Sequence, residues 1–134
     1  MNRRAYAIGL AGRRGVDADA AVALVRQALA RWRVDFGDAT LIAPAREEDR
    51  AAFEKVATTL GLALVFVAMD ALQARKDDVL TQSPRVLAMF GVGSVAEALA
   101  LAGAGAGSRL LGPRLATERL TCAIARAAEQ GETA

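Results

Sequence analysis

Three short apolar runs, Tyr6–Ala11, Thr40–Ala43 and Leu62–Ala68, alternate with two stretches of helical periodicity. Strands separated by connections of that length are too far apart for tight hairpins. They are expected to run parallel, joined by helices that cross over the faces of the sheet. Asp17 suits the N-cap of the first helix, whose apolar face is Val22, Val25, Leu29 and Trp32. Gly37-Asp38 breaks that pattern. Arg46–Leu60 reads as a second amphipathic helix with Phe53, Val56 and Leu60 on one side, stopped by Gly61. The third run, Leu62–Ala68, is almost wholly apolar, which predicts a strand covered on both faces.

The second half is richer in helix punctuation. A short helix fits Met69–Asp78, and Ser83-Pro84 opens an apolar helix ending at Phe90. Gly91-Val92-Gly93 breaks the chain, and Ser94 starts another helix to Gly103, with Glu97 at capping-box spacing. Ala102–Gly107 reads as a helix end and turn. Arg109–Gly112 and Leu120–Ala125 look like two closing strands that pair antiparallel, and the polar tail after Arg126 is expected to be loose. The whole is an α/β layered domain with a mostly parallel sheet, a single domain over residues 1–134.

Composition removes several function classes. One cysteine, Cys122, and no histidine leave no internal disulfide, no Cys/His metal site and no histidine-based triad. Aromatic residues are 4% of the chain and the net charge is +2, which argues against stacking on single-stranded nucleic acid or coating DNA. The N-terminal apolar run is interrupted by Gly9, Gly12 and Arg13-Arg14, so it reads as a buried strand rather than a signal peptide. No run approaches membrane-spanning length, and a cytoplasmic location is expected. Of 17 basic residues all but Lys55 and Lys76 are arginines, whose planar forks suit carboxylate or phosphate partners. Arginine-favouring codon usage accounts for many of those outside motifs.

Two loops carry the candidate chemistry. Gly9-Leu10-Ala11-Gly12-Arg13-Arg14-Gly15 follows the first strand, at the sheet edge where open α/β folds bind ligands. Its glycines lack GxGxxG spacing and no Gly-Lys-Ser/Thr follows, so a generic phosphate or nucleotide module is the weaker reading; a tight turn with solvated arginines is the plain one. The helix start at Gly91–Ser94 is expected to point amides outward, where they attract anions. Glu97 sits beside it as the one candidate for a catalytic carboxylate, although its capping role accounts for it. Glu47-Glu48-Asp49 is explained by the favourable end of a helix dipole. Cys122, Met69, Met89 and Trp32 are expected to be packing residues.

Taken in order, three blocks resemble the CobE/CbiG C-terminal domain family of cobalamin (vitamin B12) biosynthesis. They are Ala7-Ile8-Gly9-Leu10 through Arg13-Arg14-Gly15; Thr81-x-Ser83 with Val86, then Gly91-Val92-Gly93-Ser94-Val95-Ala96-Glu97-Ala98 and Leu101; and Arg109-Leu110-Leu111 with Arg114, closed by Thr121-x-Ala123-Ile124-Ala125. The chain departs from the family at Ala11 and in the Ala45-Arg46-Glu47-Glu48 block. The resemblance implies a three-layer α/β/α sandwich with a mixed sheet of about five strands. It also implies a ligand, a precorrin or related corrin intermediate fringed with carboxylates, with other enzymes of the pathway as further partners and no cofactor. Gly9, Gly12, Arg13, Arg14, Gly15, Ser83, Gly91, Val92, Gly93, Ser94 and Glu97 are the residues expected to meet it, the two loops sharing one cleft. Longer relatives open a lactone on such an intermediate, so the enzymatic alternative is a precorrin lactone hydrolase with Glu97 as base.

Overall fold

A computed structural model describes residues 5–129, so the end of the expected loose tail lies outside the described residues. The elements follow as β1 (Tyr6–Gly12), α1 (Ala18–Trp32), β2 (Ala39–Pro44), α2 (Arg50–Leu60) and β3 (Ala63–Val67). A 3-10 segment (Met69–Asp78) then leads to α3 (Pro84–Phe90), α4 (Val95–Ala104), β4 (Arg109–Leu110), β5 (Leu115–Ala116) and β6 (Leu120–Arg126). The sheet order is β3-β2-β1-β6-β4, with β5 also paired to β6. β1, β2 and β3 are parallel, while β6 runs antiparallel to β1, β4 and β5. Five strands therefore share one direction and β6 opposes them, the mixed, mostly parallel sheet of an α/β/α sandwich.

Each face of the sheet has its own core. Ile8, Leu10, Leu41 and Cys122 pack under α1 and α2 with Leu24, Val25, Phe53 and Val56. Ala7, Ile42 and Ala123 pack under α4 with Leu99, Leu101 and, from the 3-10 segment, Leu72. Small residues let α4 lie close to the strands. A Cβ added to Gly9 would collide with the Ala96 carbonyl oxygen, and one on Gly103 would strike Ile42. Gly9 is thus a helix-packing glycine, buried beneath α4, and cannot touch a ligand from the sheet edge.

The caps behave as their local chemistry dictates. The Asp17 carboxylate accepts from the N–H groups of Asp19 and Ala20, and Gly61 closes α2 at a φ of 68°. Ser83 and Ser94 cap α3 and α4. Four expectations need correction. The second helix begins at Arg50, because Glu47–Asp49 forms a 3-10 turn that aims Asp49 inward. β3 is an edge strand and not covered on both faces: Val65 is 46% exposed, since α4 lies over β1 and β6 and hardly reaches the edge. Met89 is no core filler, being 62% exposed on α3, a helix that buries none of its residues. β5, finally, is a strand within a stretch read as a plain connection.

Candidate functional site

The loop after β1 is held by a residue pair from the loop after β2. Asp49 Oδ1 accepts from the N–H groups of Gly15 and Val16 at 3.1 and 3.0 Å. Its Oδ2 accepts from Arg46 Nε and Nη2 at 2.9 and 2.6 Å, and Arg46 Nη2 also donates to the Gly12 carbonyl at 3.0 Å. Burial pushes the Asp49 carboxyl up. The hydrogen bonds from Val16 and Arg46, the Arg46 charge and the Gly15 N–H outweigh that and hold its pKa below the ordinary 3.8. The acidic run therefore contains a loop anchor that the helix-dipole explanation does not describe. The anchor also takes up the Gly15 and Val16 amides, which a phosphate-cradling loop would need free.

With its backbone pinned, the loop turns Arg13 and Arg14 outward. Both are exposed, and neither guanidinium has a hydrogen bond or ion pair among the described residues. Arg119, from the turn between β5 and β6, joins them: the Arg13 N–H donates to the Arg119 carbonyl at 3.1 Å, and Arg119 Nη2 donates to the Arg14 carbonyl at 2.9 Å. Between loop and turn lies a cleft of about 230 Å³ lined by Arg13, Gly15, Val16, Asp17 and the turn Thr117–Leu120. Asp17 is committed to capping α1, and with Glu118 it sets two carboxylates beside Arg13 and Arg119 in the lining, with Arg14 exposed next to Arg13. Gly12 stands at the back, packed on Leu120 and the Arg119 carbonyl.

The second candidate loop is built around Glu97. Its carboxylate does not complete the capping box. Ser94 Oγ accepts from the Glu97 N–H at 3.3 Å, but the carboxylate turns away from Ser94. Oε1 accepts from the N–H groups of Leu80 and Thr81 at 2.7 and 2.9 Å, and Oε2 accepts from Thr81 Oγ1 and the Arg114 N–H at 2.6 and 2.9 Å. Glu97 is fully buried. Four donors fill the four lone-pair positions of a carboxylate, so no oxygen is free to take a proton from a substrate. Glu97 instead ties the entry to α3, the start of α4 and the approach to β5 into one unit.

The outward-facing amides expected at Gly91–Ser94 are also absent. Val92, Gly93 and Ser94 are buried, and Gly93 is covered by Thr81 and Gln82. The Gly93 carbonyl accepts from the Ser83 N–H at 3.1 Å, and Gln73 Nε2 donates to the Phe90 carbonyl at 2.8 Å beside Gly91. Ser83 Oγ is used on the Val86 N–H. None of these residues lines the arginine cleft, which lies on the α1 side of the sheet, whereas α4 lies on the other. The two loops do not share a cavity. The structure instead brings together Arg13, Arg14 and Arg119. Sequence reasoning missed Arg119, because nothing in its local pattern marks a partner over a hundred positions away; Thr81 and Arg114, the Glu97 partners, did stand in the family-like blocks.

Among the described residues no group of three or more acidic or cysteine side chains is placed to hold a metal ion, and no single helix is long and apolar enough to cross a membrane. Cys122 is buried opposite Leu10, and burial pushes its thiol up to about 12. It packs and does not react.

Residues 6–125 match the family model for the cobalamin synthesis G C-terminus. No curated protein sequence matches the chain. Solved structures do. CobE, described as a protein from the cobalamin (vitamin B12) biosynthetic pathway, is similar with a TM-score of 0.83 at 29% identity, over 92% of this chain and 91% of CobE. The cobalamin biosynthesis protein chiG of Agrobacterium tumefaciens str. C58 is 36% identical over 92% of this chain and 99% of its own, with a TM-score of 0.73. A cobalamin biosynthesis protein G homolog from Sulfolobus solfataricus shares the fold at 19% identity and a TM-score of 0.69, over 92% of this chain but 37% of that longer one. With the model spanning most of its length and these structures superposing on nearly all of it, the chain belongs to the cobalamin synthesis G C-terminal family.

Proposed function

We propose that this cobalamin biosynthesis protein binds a corrin-ring intermediate of the pathway in the cytoplasm, as a carrier or accessory to a neighbouring pathway enzyme. The observation that carries this reading is the cleft at the carboxyl edge of the sheet, lined by Arg13 and Arg119 with exposed Arg14 next in the chain, on a loop fixed by Asp49 and tied to Arg119 through the Arg14 carbonyl. Corrin precursors carry acetate and propionate arms, and arginine forks bind such carboxylates through paired, charge-assisted hydrogen bonds. A cleft of about 230 Å³ is below the size of sites that enclose a drug-sized molecule. It takes the peripheral arms and leaves the macrocycle at the surface, which suits hand-over better than sequestration. A loop fixed in advance by Arg46 and Asp49 loses little conformational freedom when the arms dock.

A hydrolytic role through Glu97 has no support in this geometry, since its carboxylate is buried and filled by donors. The test is titration with hydrogenobyrinic acid, followed by absorbance and calorimetry. A saturable spectral shift that weakens about tenfold or more in Arg13→Gln/Arg14→Gln/Arg119→Gln is expected, from the loss of several charge-assisted bonds. No shift and no heat with the wild-type protein would remove the reading.

A further inference from the structure

The open end of the sheet carries a self-complementary pattern. β3 is its terminal strand, Ala63-Leu64-Val65-Phe66-Val67, and it has no charge, proline or bulge of the kind that keeps an edge from pairing. The Val67 carbonyl accepts from the Ala45 N–H at 2.9 Å and so points toward β2. Backbone groups alternate along a strand, so Val65 points the same way. The N–H and C=O groups of Leu64 and Phe66 face outward, where the described residues offer them no partner. Side chains alternate too. Leu64 and Phe66 pack on the α2 side, and Val65, beside Ile42, lies on the α4 side, 46% exposed.

Antiparallel pairing of two β3 strands about a two-fold axis at Val65 uses every one of these groups. Leu64 of one copy then faces Phe66 of the other, and the reciprocal pair closes as well, so all the outward N–H and C=O groups bond. Val65 meets its own counterpart, and the small Ala63 meets the larger Val67. The charges on α2 fit the same register. Arg50 stacks over the Phe66 ring at 4.4 Å and pairs with Glu54 at 3.4 Å, both side chains half exposed. As the crossover between two parallel strands, α2 runs back along β3. Four helical residues advance about 6 Å and two strand residues about 6.6 Å. Glu54 therefore stands at the level of Leu64, which across the axis is the level of Phe66 and Arg50 of the second copy. Each edge presents an acid to the other's arginine, twice by symmetry.

We propose that a second copy of this chain docks on β3, joining the two sheets into one across a two-fold axis at Val65, with Arg50 and Glu54 paired between copies. The arginine cleft, between the loop after β1 and the β5–β6 turn, takes no part, so the inference is independent of the ligand proposed for it. Sedimentation velocity of the full chain at low ionic strength, over about 1–100 μM, should show monomer passing to dimer as concentration rises. Val65→Lys sets like charges against each other at the axis; it should move that transition up about tenfold or more while the circular dichroism stays that of wild type. Glu54→Arg should weaken the dimer, and Arg50→Glu/Glu54→Arg should restore it, a rescue that a contact within one copy would not give. The register has its own readout. Val65→Cys, with Cα atoms about 4.5 Å apart across the axis, should cross-link under mild oxidation, and Leu64→Cys, set diagonally, far more slowly. Cys122 is buried and does not compete. A monomer throughout that range, a dimer undisturbed by Val65→Lys, or Leu64→Cys cross-linking faster than Val65→Cys would overturn the proposal.

Discussion

Replacing Glu97 by glutamine changes one oxygen to an amide in a side chain that is fully buried. The magnitude follows from the four bonds. If the retained carbonyl oxygen keeps the Leu80 and Thr81 N–H groups, those bonds pass from charge-assisted to neutral, roughly halving their strength. The new NH₂ faces Thr81 Oγ1, which can turn to accept, and the Arg114 N–H, which cannot. One buried donor is left against another donor, at about 1–3 kcal/mol. Together the losses come to about 3 kcal/mol, or about 10 °C in melting temperature for a domain of this size. Glu97→Ala should cost more, since all four donors lose their acceptor and a cavity opens. Urea unfolding at neutral pH measures both, and a double-mutant cycle with Thr81→Val should give a coupling of about 1–2 kcal/mol. A Glu97→Gln protein within about 0.5 kcal/mol of wild type would refute the view of Glu97 as the tie between three segments.

Asp49 supplies a pH-dependent counterpart. Its folded pKa lies below the ordinary 3.8, so its contribution is complete above that value and is lost as pH falls through the folded pKa. Asp49→Asn should therefore lower stability at neutral pH and flatten the acid limb of a stability–pH curve; an unchanged acid limb would contradict the assignment. The Cys122 thiol, pushed up to about 12 and buried, should resist a thiol reagent such as Ellman's in the native state and react fully in denaturant. Rapid native labelling would place it outside the core.

The fold was legible wherever the determining forces are local. Apolar runs and helical periods locate β1, β2, β3, α1 and α4, and Asp17, Gly61, Ser83 and Ser94 mark helix ends because caps bond within four residues. The site was less so. Asp49 meets its loop 33 and 34 positions away, and Glu97 its partners 16 and 17 away, and both look like ordinary first-turn acids in the sequence. Arg75, at the kink of the 3-10 segment, closes a helix that begins twenty residues later. Of the loop glycines, Gly9 serves α4 packing, Gly91 lies against Gln73, and Gly93 is closed over by Thr81–Ser83. Glycine permits close approach by helix, loop or ligand alike, and only tertiary placement distinguishes them.

Whether Arg13, Arg14 and Arg119 hold the carboxylate arms of a corrin intermediate is decided by purifying the protein from cells that accumulate pathway intermediates and identifying the retained pigment by absorbance and mass. The wild-type chain is predicted to carry a polycarboxylate corrin precursor, Cys122→Ala to carry as much, and Arg13→Gln/Arg14→Gln/Arg119→Gln to lose most of it while remaining folded. Pigment retained undiminished by the folded arginine variant would show that these arginines do not hold the ligand.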